Sequence, residues 1–134
     1  NTNMTRHELR ESSFLLLLRI EFHEAVRLPE QLQTFMESIS HERERDTHYI
    51  EEKYDLVMSH LTEIDEKINN ITDGWKTSRM GKVDLAIIRL AVYEILFDED
   101  VPTGVAINEA VELAKQFGTD DSPSFVNGVL AKIA

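Results

Sequence analysis

Leu85-Ala-Ile-Ile-Arg-Leu-Ala-Val-Tyr-Glu-Ile95 lies within a run, residues 82–97, that is apolar on nearly every side of a helix. A helix with almost no polar face must be enclosed by others, so this run predicts the central buried helix of an all-α fold. Asp98-Glu-Asp-Val-Pro102 breaks it. From Thr103 to Phe117 a further helix places Ala106, Ala110, Leu113 and Phe117 on one face, and Gly118 supplies its stop. Asp121-Ser-Pro-Ser-Phe-Val-Asn-Gly-Val-Leu130 then opens the last helix, with Ser122 as its cap and Pro123 at its first position. Gly128 inside that helix costs about 1 kcal/mol against alanine. Close approach of a neighbouring helix is the expected compensation.

Upstream, Thr5-Arg-His-Glu8 has the spacing of a capping box and starts a first helix expected to reach about Ala25. Leu9, Ser13, Leu16 and Ile20 share one face, which Phe14, Leu17 and Leu18 widen. Pro29 suits the first turn of a second helix carrying Leu32, Phe35, Met36 and Ile39. His41-Glu-Arg-Glu-Arg-Asp46 holds no apolar residue and reads as a solvated loop. From Ile50 the apolar positions Tyr54, Val57, Leu61, Ile64, Ile68 and Ile71 recur four and three apart. That seam predicts one long helix, closed by Asp73-Gly74; an intermolecular coiled coil is the alternative. Trp75 to Gly81 is a connector. The total is six to seven helices and no sheet.

With 134 residues the chain has the size of a single domain, residues 1–134, and it contains no cysteine for disulfides or thiolate metal sites. Residues 1–3, ahead of Met4, read from position alone as foreign to the natural chain. The longest apolar run, Phe14 to Leu18, is far short of the roughly 20 residues of a membrane helix, and no secretion leader is evident. A cytoplasmic location with no membrane association is the expectation. The net charge of −11, from 25 acids against 14 bases, repels nucleic acid by default. Any such role therefore needs a local basic patch, a basic partner, or both.

Catalysis finds little support. The five histidines lack His-Glu-x-x-His spacing, and no phosphate loop, serine elbow or cysteine nucleophile is present. No enzyme activity, metal or cofactor is expected. Arg89 and Glu94 are the sharpest anomaly, since charges on a buried helix require partners. A structural ion pair is expected, for Arg89 with a carboxylate such as Glu109 or Glu112. The Asp120-Asp121-Ser122-Pro123-Ser124-Phe125 helix start offers amides to a phosphate and an aromatic ring to a base, although its acids suit ordinary capping equally. Lys76, Arg79 and Lys82 fall within seven residues, and Arg6 and Arg10 share a face at i, i+4. Both groups are candidate phosphate contacts and, equally, ordinary surface charge.

Three blocks together resemble the NusB family: Trp75 through Gly81-Lys-Val-Asp84, the Leu85–Glu94 run, and the Val101–Leu130 tail. Tyr49, Tyr54-Asp-Leu-Val57, Ile64-Asp65 and Ile68 extend the likeness. It is strong in the C-terminal half and faint before residue 48. The resemblance implies two small helical bundles sharing the first helix. It also implies transcription antitermination: binding of boxA RNA together with the ribosomal protein NusE, alongside other Nus factors and RNA polymerase. Placed residue by residue, the family's RNA face falls on Arg6, His7 and Arg10 at the N-terminus and on Asp121, Ser122 and Phe125. Asp84 falls on the side facing NusE.

This chain departs from the family pattern in its bases. The N-terminal arginines are thinned to Arg6 and Arg10 with Glu8 between them, and Thr103-Gly104 and Ser122-Pro-Ser124 hold no lysine. Each lost phosphate contact removes roughly 0.7 of a counterion on single strands, so weak RNA binding by this chain alone is expected. A homodimerising or protein-interaction module with a degraded RNA face is the rival reading. An rRNA cytosine methyltransferase carrying a NusB-like N-terminal domain is a third, disfavoured because no catalytic domain follows Ala134.

Overall fold

The computed structural model describes residues 3–71 and 76–134, and seven α-helices and no strand occur among them. They are α1 (Arg6–Leu18), α2 (Leu28–Ser38), α3 (Glu44–Ser59), α4 (Leu61–Ile71), α5 (Lys82–Phe97), α6 (Thr103–Phe117) and α7 (Ser122–Ile133). The chain divides into two compact units, Asn1–Met58 and Ser59–Ala134. The expected Asp73-Gly74 helix stop and Trp75 lie outside the described residues.

In the first unit, the capping box forms as the Thr5 spacing predicts. The Glu8 amide donates to Thr5 Oγ1 at 3.1 Å and the Thr5 amide to Glu8 Oε1 at 2.8 Å. Phe14, Leu16 and Leu17 are buried. The helix stops at Leu18, not near Ala25, and tightens into a 3₁₀ turn at Arg19–Glu21. Arg19 explains the change of course. Its guanidinium sits 5.3 Å from the Phe35 ring centre and donates to Gln31 Oε1 at 2.9 Å, which draws the chain onto α2. Beyond it Phe22 and Val26 are exposed, so no apolar stripe remains to carry the helix further.

The expected solvated loop at 41–46 is only partly one. α3 begins at Glu44, and Asp46 is 2% exposed, accepting the Met4 amide at 2.9 Å. The single long helix read from Ile50 to Ile71 is interrupted at His60. Its phase survives, because Ile50, Tyr54, Val57, Ile64 and Ile68 are all buried. Aromatic packing accounts for the interruption. The His60 ring lies 4.2 Å from Phe97 and 5.7 Å from Tyr93, and His60 Nδ1 is 3.2 Å from the Ser59 hydroxyl. Apolar periodicity reports which face is buried and carries no information about one ring turning aside.

The second unit is built around α5, as its apolar circumference predicts. Eight residues from Leu85 to Tyr93 are buried hydrophobics, Arg89 being the exception. Each large aliphatic side chain so enclosed contributes about 1.5–3 kcal/mol. α5 packs against α4, α6 and α7, and α6 against α7. Ala106, Ala110 and Ala114 give α6 a small-residue face that admits its neighbours closely. Arg89 finds its partner on α4: Nε and Nη2 donate to the two Asp65 oxygens at 2.9 and 2.8 Å. A structural ion pair was the expectation, but its carboxylate is Asp65 and not Glu109 or Glu112. The bidentate fork joins α4 to α5 in a fixed register.

Of the two glycine readings near α7, that of Gly128 changes. Gly128 is exposed, and a Cβ there would meet nothing within 4 Å, so no helix approaches it. Gly128→Ala is therefore expected to stabilise the free protein by roughly 0.5–1 kcal/mol, read as a higher urea midpoint with an unchanged slope. A lower midpoint would show a close approach at this position after all. Gly118 does end α6, but in extended backbone (φ −93°, ψ −169°), without left-handed geometry. The requirement there is room. A Cβ on residue 118 would collide with the Ser122 side chain and stand 2.8 Å from the Ala114 carbonyl oxygen.

Candidate nucleic-acid interface

Two turns of the second unit meet around a recess of about 250 Å³. The first lies before α5. Asn69, near the end of α4, holds it twice: its side-chain oxygen accepts the Thr77 amide at 2.8 Å and its backbone oxygen accepts Lys76 Nζ at 2.7 Å. A 3₁₀ turn follows at Thr77–Arg79, and Gly81 caps α5. Lys76, Arg79, Met80 and Asp84 of this segment line the recess.

The second turn joins α6 to α7. Ser122 is 2% exposed, and its hydroxyl accepts the Thr119 amide at 3.0 Å. The residue expected to cap α7 thus braces the preceding turn, and α7 begins without a side-chain cap, helped by Pro123 in its first turn. The Phe125 amide donates to the Asp121 carbonyl at 3.1 Å, which sets the ring one turn into the helix. With Gly81, the residues Thr119, Asp121, Ser122 and Phe125 complete the lining.

Five residues singled out in the sequence come together here: Arg79, Asp84, Asp121, Ser122 and Phe125. Asp84, read as a partner contact, shares the recess with four residues read as RNA contacts. Lys76 joins them, as its place in the basic cluster suggests. Met80 and Thr119 carried no sequence signal, since a turn residue without charge or periodicity looks like any other. Asn69 was equally silent; its role depends on the helix end it reaches back from.

The charges are balanced. Lys76 and Arg79 are exposed beside the recess, as is Asp121, while Asp84 is half-buried. Asp84 Oδ1 is buried with no hydrogen-bond donor among the described residues. Phe125 is half-buried and so retains an accessible part of its ring.

Arg6, His7 and Arg10 belong to the first unit. Arg6 is exposed, and His7 lies 4.0 Å from Glu11, its neighbour one turn on. Arg10 is 8% exposed and lies among the buried residues of α1. The expected pair of surface arginines at i, i+4 is thus reduced to one at the surface. No group of three potential metal ligands and no helix long and apolar enough to cross a membrane occurs among the described residues.

The class these features define is an all-α chain bearing a small recess, lined by an aromatic ring and edged by both signs of charge. Comparison with known proteins carries this further. A model described as the NusB family matches residues 7–134. Transcription antitermination protein NusB of Agathobacter rectalis is 52% identical over 131 residues, spanning 98% of this chain and 100% of the relative. The protein of the same name from Lachnoclostridium phytofermentans is 50% identical over 130 residues, 97% of this chain and 98% of its own. Among solved structures, NusB of T. maritima superposes with a TM-score of 0.87 at 32% identity, covering 99% of this chain and 92% of that one. A structure of antitermination factors NusB and NusE in complex with dsRNA matches with a TM-score of 0.82 at 27% identity, covering 97% of both chains. The chain belongs to the NusB family.

Proposed function

We propose that this chain is a transcription antitermination factor that binds boxA RNA jointly with NusE. In this reading it acts as one functional domain and helps RNA polymerase, with other Nus factors, to read through rRNA operons in the cytoplasm. The observation that carries the reading is the meeting of Phe125, Arg79 and Lys76 in one recess of a chain whose fold matches a NusB solved with NusE and dsRNA. An accessible ring beside cations is the equipment for an unpaired base and its phosphate, because stacking tolerates any base and the cations hold the backbone.

Charge sets the division of labour. At −11 the chain is repelled by RNA beyond its local cations, and a basic ribosomal protein is attracted to it. NusE supplies the missing positive field, Asp84 belongs to its contact surface, and Arg6 and His7 form the N-terminal part of the RNA face, to which the buried Arg10 adds no surface cation. Anisotropy with boxA RNA, with and without NusE, tests this. Weak binding alone and at least tenfold tighter binding with NusE are expected, the gain shrinking as salt rises. A NusE that neither associates with the protein nor tightens RNA binding overturns the reading.

One observation favours the rival. Arg10 is buried, so the N-terminal RNA face has fewer free cations than its sequence promises. A fold retained for homodimerisation would share that feature. Light scattering that finds a dimer unable to take up RNA or NusE would establish it.

A further inference from the structure

We infer that one face of α3, formed by Arg45, Tyr49 and Lys53, is a second foothold for single-stranded RNA, with Tyr49 receiving an unpaired base and Arg45 a phosphate. This rests on the RNA-binding reading above and extends it to a surface of the first unit that the recess does not include.

Residues 45, 49 and 53 recur four apart on α3, so they stand one above another on a single face. They read cation, aromatic, cation, in a chain whose acids outnumber its bases by 25 to 14. A ring between bases is the arrangement that tracks a nucleic-acid strand, because the ring stacks on any base and the cations follow the phosphates.

Each member is placed for its part. Tyr49 is 39% exposed, although Ile50, Tyr54 and Val57 of the same helix are buried. Lys53 is 5% exposed, and its Nζ lies 5.2 Å from the centre of the Tyr49 ring. A cation held against the ring fixes it in place, so a stacking base costs little further side-chain ordering. The Arg45 side chain remains 72% exposed, although its Nε is 3.8 Å from Asp46 Oδ1. That exposure leaves its guanidinium open to a phosphate.

A buried carboxylate ties this face to the N-terminal bases. Asp46, next to Arg45, accepts the Met4 amide at 2.9 Å through Oδ2. Met4 precedes Thr5, the cap of α1, so the exposed Arg6 stands two residues from this bond. Tyr49 stands one turn beyond it on α3. A strand gripped by Arg6 thus lies beside Arg45 and Tyr49. The neighbouring acids do not close the path: Asp46 is occupied as above, and Glu52 lies 3.0 Å from His48. An acidic peptide would be drawn to Arg45 but has no use for the ring, and this favours RNA.

The test uses the full chain with NusE and labelled boxA RNA. Tyr49→Leu keeps apolar bulk without the ring and should bind about tenfold more weakly, with the wild-type salt slope. Tyr49→Phe retains the ring and should bind as the wild type does. Arg45→Gln should weaken binding and lower the slope of log affinity against log salt by about 0.7. Because a misfolded variant would also lose RNA, the wild-type complex is read independently. It is irradiated with boxA RNA carrying 4-thiouridine, and an adduct is expected on the tryptic peptide of residues 46–53. Tyr49→Leu at wild-type affinity, or adducts that spare this peptide while marking the one that carries Phe125, overturns the inference and leaves the RNA-binding reading intact. Equal losses in Tyr49→Leu and Tyr49→Phe with no such adduct make the ring a packing residue and also overturn it. No binding by the wild type, even with NusE, removes the functional reading itself.

Discussion

Gly118→Ala lowers the melting temperature of the protein by about 10 °C and weakens RNA binding with it. The new methyl would meet the Ser122 side chain and the Ala114 carbonyl, and neither can move freely. Ser122 is almost fully buried and holds the Thr119 amide, while Ala114 O is the acceptor for the Gly118 amide at the end of α6. Overpacking of this kind costs about 1–3 kcal/mol, and breaking the Ser122–Thr119 bond adds about 1. For a chain of this size that amounts to roughly 10 °C. Because the same turn carries Asp121, Ser122 and Phe125 into the recess, the damage reaches the site. Thermal melting followed by circular dichroism is the measurement, and a variant that melts within a degree of wild type would show that the turn has slack.

Phe125→Ala is expected to reduce affinity for boxA RNA by roughly 10- to 100-fold, since base–aromatic stacking is worth about 1–3 kcal/mol per base. The slope of log affinity against log salt should stay as in the wild type, because no charge is removed. Arg79→Ala provides the contrast: a smaller loss, a shallower slope, and no dependence on which base is present. Phe125 is half-buried, so alanine also loosens packing. Phe125→Leu separates the two. It keeps apolar bulk and removes the ring face, so the melting temperature should hold while RNA affinity still drops. Full RNA affinity in Phe125→Leu would remove stacking from the mechanism.

Individual residues show how far the sequence could be read. Apolar periodicity identified α5, α6 and α7 nearly to the residue, and the Thr5–Glu8 capping box marked the start of α1. These elements obey local rules, in which spacing and end chemistry suffice. Three misreadings involve a side chain reaching outside its own element. Arg19 crosses to Phe35 and Gln31 and ends α1 early, His60 leans on Tyr93 and Phe97 and interrupts the long helix, and Arg89 selects Asp65 among several carboxylates.

The candidate site divides the same way. Phe125, Arg79 and Asp121 stood out as residue types suited to RNA, but nothing linear joined them to Asp84, about forty positions from Phe125 along the chain. The sequence alone determined the all-helical class, the buried helix at its centre and the family, because these follow from composition and pattern along a single strand of residues. Tertiary structure decided that Arg10 is buried, that Ser122 braces a turn, and that Asp84 lines the same recess as Phe125. Burial and pairing belong to the space between elements, and the chain acquires that space only by folding.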